Sequence, residues 1–96
     1  MKNLFDIKGK VIVITGGCGI LGKNIANYLA EQGAKIVVLD RAAEIGKELE
    51  AELNQKSEAL FLVTDVLNKE VLEENKKAIL ERFGTIDVLL NAAGGN

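Results

Sequence analysis

The sequence predicts an α/β protein with a partial, doubly wound parallel sheet in the spatial order 3-2-1-4 and helices on both faces. Short, nearly continuous apolar runs alternate with longer stretches in which apolar residues recur at helical spacing. A glycine-rich segment, residues 15–22, separates the first apolar run from the first helical stretch. These patterns indicate that residues 1–96 form one domain of strand–helix units.

Strands are expected at 10–14, 35–39, 59–63 and 86–91, and helices at about 20–32, 43–54 and 69–83. Each helix has an apolar stripe that we expect to face the sheet. The main residues of the stripes are Leu21, Ile25 and Leu29, then Ile45, Leu49 and Leu53, then Leu72, Ile79 and Phe83. Gly33 is placed to end the first helix in the left-handed conformation, Gly84 to end the third helix, and Asn68 to cap the start of that third helix.

The predicted topology brings three segments to one edge of the sheet. Right-handed crossovers place strands one and four on either side of the point where the strand order reverses, and ligands bind beyond the carboxyl ends there. The segments are 15–22 after strand one, 64–66 after strand three and 91–94 after strand four. We expect a ligand site where they converge.

The glycine-rich segment has the spacing of a phosphate-binding turn. Gly17, Gly19 and Gly22 match the dinucleotide pattern G-x-G-x-x-G, and they lie between a strand and a helix as that pattern requires. Glycines let the backbone approach a pyrophosphate closely, while the unpaired N–H groups of the first helical turn donate to it. The sequence therefore predicts a dinucleotide partner.

An acidic residue follows at the distance that this pattern predicts. Asp40 closes the second apolar run and lies 18 residues after Gly22. A carboxylate there accepts hydrogen bonds from the adenine ribose and repels a 2′-phosphate, which favours NAD over NADP. Asp40 could also serve as the N-cap of the second helix. Arg41 is interpreted as a cover over the adenine or a solvated charge, although a guanidinium can pair with a 2′-phosphate.

Cys18 lies in the loop beside a helix N-terminus, where the pKa of a thiol tends to fall. We favour the other interpretation, a small residue that fills a tight turn, because no general base is predicted nearby. One cysteine forms no internal disulfide, and the chain has no histidine to join it in a zinc site. We therefore expect a reducing, cytoplasmic setting without a bound metal.

Composition excludes other partners. The net charge is −2 and no basic cluster is present, so nucleic acid and anionic membrane surfaces are not expected to bind. Aromatic residues make up 4% of the chain, too few for a base-stacking platform. No apolar run approaches the length of a membrane span.

Four segments stand at characteristic positions along the chain: Lys8-Gly9-Lys10, Thr15-Gly16, Asp65-Val66 and Asn91-Ala92-Ala93-Gly94. In this order they resemble the N-terminal part of the short-chain dehydrogenase/reductase family. The resemblance covers essentially the whole chain. It implies a Rossmann-type dinucleotide-binding fold and an NAD-dependent interconversion of alcohols and carbonyl compounds.

The resemblance also implies cofactor contacts for individual residues. Besides the loop glycines, the backbone groups expected around the pyrophosphate are those of Gly16, Cys18, Ile20 and Leu21. Asp65 is expected to bind the adenine amino group and the Val66 amide a ring nitrogen. The alternative for Asp65 is a turn residue that bonds to its own backbone.

The segment after strand four is assigned to the nicotinamide ribose in the same way. Asn91 is expected to tie this strand to its neighbours and, with Ala92, Ala93 and Gly94, to shape that part of the site. The alternative for Asn91 is a strand-end cap.

The glycine spacing from Gly16 resembles the extended branch of the family, which includes nucleotide-sugar epimerases and dehydratases, whereas the Asn-x-Ala-Gly motif is typical of the shorter branch. Their combination resembles oxidoreductases of sugar acids such as D-mannonate.

The family's Tyr-x-x-x-Lys pair is not found in these 96 residues, because Tyr28 is followed by Gln32 four positions later. We assign no catalytic residue and expect the N-terminal, cofactor-binding part of an oxidoreductase, inactive by itself. A stand-alone NAD-binding module and a fragment of an extended-branch enzyme are the alternatives. We also predict a homo-oligomer, formed either through the open edge of strand four or through the sheet face that the third helix alone covers.

Overall fold

The computed structural model describes residues 6–92, which form four parallel strands and three helices. In chain order these are β1 (Val11–Thr15), α1 (Ile20–Glu31), β2 (Lys35–Asp40), α2 (Ala43–Asn54), β3 (Ala59–Val63), α3 (Lys69–Phe83) and β4 (Val88–Asn91). The strand order β3-β2-β1-β4 confirms the predicted fold class. Element bounds agree with prediction to within two residues, the largest difference being the later start of β4.

The register of the sheet aligns the carboxyl ends of its strands. Thr15 pairs with Leu39 of β2 and with Asn91 of β4. Asp40 pairs with Val63 of β3. Because all pairings are parallel, the segments that follow the strands begin at one edge, as the sequence predicts.

The predicted helix ends are confirmed. Gly33 and Gly84 adopt φ values of 92° and 82°, in the left-handed region that favours glycine. The Asn68 side chain accepts hydrogen bonds from the amides of Glu70 and Val71, so it caps α3.

The two faces of the sheet are covered unequally. α1 and α2 pack on one face, where the core cluster includes Ile12, Ile36 and Phe61 together with apolar residues of both helices. Among the described residues, α3 alone contributes a helix to the other face, through the buried Ile79. Beside α3, a cavity of about 670 Å³ lies against β1 and β4, with Leu89 in its lining.

In two predicted apolar stripes the first residue does not face the sheet. Leu21 and Ile45 are predicted to do so, but they are 56% and 43% exposed. The other predicted residues lie on the sheet side: Ile25 and Leu29 pack against the core, and Leu49 and Leu53 are buried. Small residues complete the inner face, with Gly22, Ala26 and Ala30 buried in α1 and Gly46 in α2. A Cβ on Gly46 would lie 2.1 Å from the Phe61 ring, so glycine permits this close approach of α2 to β3.

The two edges of the sheet differ in their protection. At β3, the Glu50 carboxylate accepts from the Phe61 amide at 2.7 Å, and the Asn54 side chain bonds to both the amide and the carbonyl of Ala59. α2 therefore blocks this edge against a further strand. At β4, Leu89 is 66% exposed, and no side chain of the described residues covers the edge in a comparable way.

Candidate functional site

The glycine loop makes its turn at Gly16, one residue before the G-x-G-x-x-G match begins. Gly16 has φ 71°, and its amide donates to the Leu39 carbonyl at 2.8 Å, which holds the turn against the end of β2. Its own carbonyl accepts from the Gly19 amide at 3.3 Å. The chain thereby reverses from β1 into α1 within a few residues.

The remaining loop glycines differ in what surrounds them. A Cβ on Gly22 would lie 2.6 Å from the Gly17 Cα and 2.7 Å from the Gly16 carbonyl oxygen, so α1 starts in close contact with loop backbone. A Cβ on Gly17 would meet a Val38 methyl group at 2.8 Å. A Cβ on Gly19, by contrast, would approach only the Gly16 oxygen, at 3.7 Å. Gly22 is thus needed for packing, whereas the space over Gly19 is open.

The start of α1 presents unbonded backbone amides. Gly19 is the N-cap and supplies no side chain to the first turn. Within residues 6–92, the structure shows no hydrogen bond from the amides of Ile20, Leu21 or Gly22. Three donors and the positive end of the helix dipole therefore face the opening of the loop, which is the arrangement that binds anions.

The amides of Gly16 and Cys18 are used inside the protein. Gly16 donates to Leu39, and the Cys18 amide donates to Oδ2 of Asp40 at 3.0 Å. These residues shape the loop from within, and their predicted contact with a pyrophosphate remains a prediction.

Asp40 connects the loop to the segment that enters α2. Its Oδ1 accepts from the Ala42 amide at 3.0 Å, so the carboxylate holds one backbone amide with each oxygen. The N-cap of α2 is Ala42, hence the alternative role of Asp40 as that cap is wrong. Asp40 also lines a cleft of about 120 Å³, with Gly16, Leu39, Arg41, Thr64 and Val66.

Asp65 and Val66 follow β3 on the far side of this cleft. Both are exposed, and Val66 lines the cleft. Oδ1 of Asp65 accepts from the Leu67 amide at 3.0 Å, so the turn that was the alternative role of Asp65 is present. One oxygen of the carboxylate serves that turn, and the adenine contact stays a prediction.

A buried polar pair behind the cleft was missed by sequence reasoning. The Asn75 side chain donates from Nδ2 to Oγ1 of Thr64 at 2.7 Å, and both residues are buried. A signal was available, because Asn75 stands three residues after Leu72 and four before Ile79, on the stripe predicted to face the sheet.

Asn91 joins β4 to β1 beside the loop. The Thr15 hydroxyl donates to Oδ1 of Asn91 at 3.0 Å, and the Ala92 amide donates to the Thr15 carbonyl at 2.8 Å. The predicted tie between strand four and its neighbour is therefore present. Ala93 and Gly94, also predicted to bind the cofactor, lie outside the described residues.

Cys18 is part of the core beneath the loop. It is 8% exposed, and burial, followed by the nearby Asp40 carboxylate, raises the pKa of its thiol from 9.0 to about 11. The thiol stays protonated at neutral pH, which agrees with a filling role and not with a nucleophile.

In the described part of the chain, no three cysteine, aspartate or glutamate side chains are grouped in a way that could hold a metal ion. None of the helices over residues 6–92 has both the length and the apolar character needed to cross a membrane.

Comparison with known proteins connects this geometry to one family. The sequence model of the family described as short chain dehydrogenase matches residues 10–96. An uncharacterized oxidoreductase of Bacillus subtilis strain 168, UxuB, is 41% identical over 92 residues, which are 95% of this chain and 33% of that protein. The chain thus spans about a third of the length of the curated relatives it resembles.

Solved structures give the same relationship. A proposed D-mannonate oxidoreductase from Haemophilus influenzae with bound NAD superposes with a TM-score of 0.88 at 38% identity, over 95% of this chain and 33% of that one. An NAD⁺-bound xylitol dehydrogenase superposes with a TM-score of 0.83 at 36% identity, over 86% of this chain and 32% of that one.

The raised pKa of Cys18 predicts slow alkylation in the folded protein. Iodoacetamide reacts with thiolate, and below pH 9 a rise in pKa from 9.0 to about 11 lowers the thiolate fraction about 100-fold. At pH 8 we expect the rate, measured by mass spectrometry, to be at least 100-fold below that of the protein unfolded in urea. The rate should increase about tenfold per pH unit up to pH 10. Rapid alkylation of the folded chain at pH 8 would contradict the assigned environment.

Proposed function

The chain belongs to the short chain dehydrogenase family, and from that premise we propose that it forms the NAD-binding part of an oxidoreductase that interconverts alcohols and carbonyl compounds. The observation that carries the proposal is the set of three unbonded amides at the start of α1, beside the Asp40 carboxylate. A pyrophosphate over Gly19 would accept hydrogen bonds from those amides without displacing any internal bond. The adenosine end would then lie in the cleft between Asp40 and Val66.

NAD is proposed over NADP because of the charge at the end of β2. The Asp40 oxygens each hold one amide, and a carboxylate has further lone pairs for ribose hydroxyls. A 2′-phosphate in the same place would meet this negative charge. NAD in the similar structures described above supports the same choice.

Hydride chemistry would come from the bound nicotinamide. The residues of this chain position that cofactor: α1 amides at the pyrophosphate, Asp40 at the adenine ribose, and Asn91 near the nicotinamide ribose.

Residues 1–96 supply no Tyr-x-x-x-Lys pair, so we propose that this polypeptide binds NAD without turnover. The resemblance to a proposed D-mannonate oxidoreductase supports a sugar acid as the substrate class. A cytoplasmic setting is proposed because one cysteine forms no internal disulfide.

Two glycine substitutions distinguish an effect on NAD affinity from an effect on the stability of the fold. In Gly19→Ala the new methyl group projects into open space, so only the poorer N-cap preference of alanine lowers the free energy of unfolding in urea, by at most about 1 kcal/mol. The same methyl group stands where the pyrophosphate must approach, and we expect the affinity for NAD, measured by calorimetry, to fall at least tenfold.

Gly22→Ala is the matched control. Its methyl group would overlap loop backbone at 2.6 Å, so it should destabilise the protein by about 1–3 kcal/mol before any ligand is added. Undiminished NAD affinity in Gly19→Ala, or the absence of NAD binding by the unmodified chain, would refute the proposed site.

We further propose that the 96-residue chain associates through β4. In the sheet of residues 6–92, α2 blocks the β3 edge and β4 forms the other edge. Pairing of β4 with its copy gives a closed dimer about a twofold axis. Leu89, 66% exposed beside the cavity next to α3, would become buried in that dimer.

Sedimentation velocity tests the association. We expect a species of twice the 10.3 kDa chain mass at micromolar concentration. Leu89→Lys should give a folded monomer, because a charge replaces an apolar contact at the interface. Tyr28→Lys, at a residue 61% exposed on α1, should remain dimeric. A monomeric unmodified chain, or a dimeric Leu89→Lys variant, would exclude this interface.

A further inference from the structure

The Thr64–Asn75 pair stands out because it is polar where the contact of α3 with the sheet is otherwise apolar. Thr64 and Asn75 are 1% and 8% exposed, and they are the buried polar residues of the described part of the chain. Nδ2 of Asn75 donates to Oγ1 of Thr64 at 2.7 Å, and the Thr64 hydroxyl donates onward to the Leu62 carbonyl at 2.9 Å. The Thr64 hydroxyl is therefore held from two sides in a fixed orientation.

Thr64 also links the cleft to the end of β2. Its amide donates to the Asp40 carbonyl at 2.8 Å, and it lines the cleft together with Asp40 and Val66. Asp65 and Val66 follow directly, and both are exposed. Within residues 6–92, the bonds shown for Asp65 stay inside its own turn, from the Leu67 amide to its side chain and from the Asn68 amide to its carbonyl. The connection of this turn to the sheet is therefore made at Thr64.

We propose that Asn75 is a positioning residue for base recognition: by fixing Thr64 it orients Asp65 and Val66, and so determines how strongly the site prefers adenine. This inference rests on the proposed NAD site. Asn75 lies on α3 behind the cleft and does not line it. Its effect is exerted through the backbone that Thr64 anchors.

A pair of cofactors that differ in the base measures this role. Nicotinamide hypoxanthine dinucleotide has an oxygen where the adenine of NAD has its 6-amino group, and its neighbouring N1 carries a hydrogen. It therefore has no amino group for the Asp65 carboxylate and no acceptor at N1 for the Val66 amide. We expect the unmodified chain to bind NAD about tenfold more tightly than this analogue, as measured by calorimetry. In Asn75→Leu, which keeps the number and branching of the side-chain heavy atoms and loses the bond, the ratio should fall below about threefold.

Three further variants distinguish positioning from general destabilisation. Thr64→Val removes the same bond from the other side and should also reduce the ratio, which decides the matter if Asn75→Leu does not fold. Thr64→Ser keeps the hydroxyl and should retain the ratio. Asn54→Ala loosens β3 at its outer edge, away from the cleft, and should lower both affinities equally or not at all.

The outcomes separate this inference from the function on which it rests. An unchanged ratio in Asn75→Leu and Thr64→Val overturns the positioning role. Equal affinity of the unmodified chain for both cofactors also overturns it, while leaving NAD binding in place. No binding of either cofactor to the unmodified chain refutes the proposed function itself.

Discussion

The site depends on the two hydrogen bonds that the Asp40 carboxylate accepts from backbone amides, one with each oxygen. One oxygen holds Cys18 in the glycine loop, and the other holds Ala42 at the entry to α2. The loop that follows β1 and the segment that follows β2 are thereby both hydrogen-bonded to one carboxylate. Hydrogen bonds to a charged acceptor are stronger than neutral ones, so this link is well suited to hold a loop that lacks side chains of its own.

Close packing of small residues brings the helices near enough for that link to form. Gly22 lets α1 begin against the loop backbone, and Gly46 lets α2 approach the Phe61 ring. Larger residues at these positions would move the helices outward and separate the Cys18 amide from Asp40. The same packing leaves Leu21 and Ile45 facing outward, although their spacing suits an inner stripe.

The sequence predicts the parts of this molecule that local patterns determine. Strand and helix bounds follow from apolar periodicity, and Gly33, Asn68 and Gly84 end or begin helices because their preferences are local. The exposure of Leu21 could not be predicted in this way, because it depends on how closely Gly22 allows α1 to approach the loop. The internal bonds of the Gly16 and Cys18 amides are likewise long-range, as they end on β2. The Thr64–Asn75 bond joins the residue that follows β3 to a residue of α3, and the sequence shows only that Asn75 is a polar residue on an apolar stripe.

The role of Asp40 in selecting NAD is tested by the relative affinity for NAD and NADP, compared between the unmodified chain and Asp40→Asn. A 2′-phosphate within about 4 Å of a partly exposed carboxylate is disfavoured by about 1–4 kcal/mol, so we expect the unmodified chain to bind NAD at least tenfold more tightly. The substitution removes the charge and also replaces one of the two acceptor oxygens by an NH2 group. The affinity for both cofactors should therefore fall, and their ratio should fall towards one; Arg41→Ala should leave the ratio unchanged. Tighter binding of NADP by the unmodified chain, or an unaltered ratio in Asp40→Asn, would contradict the account.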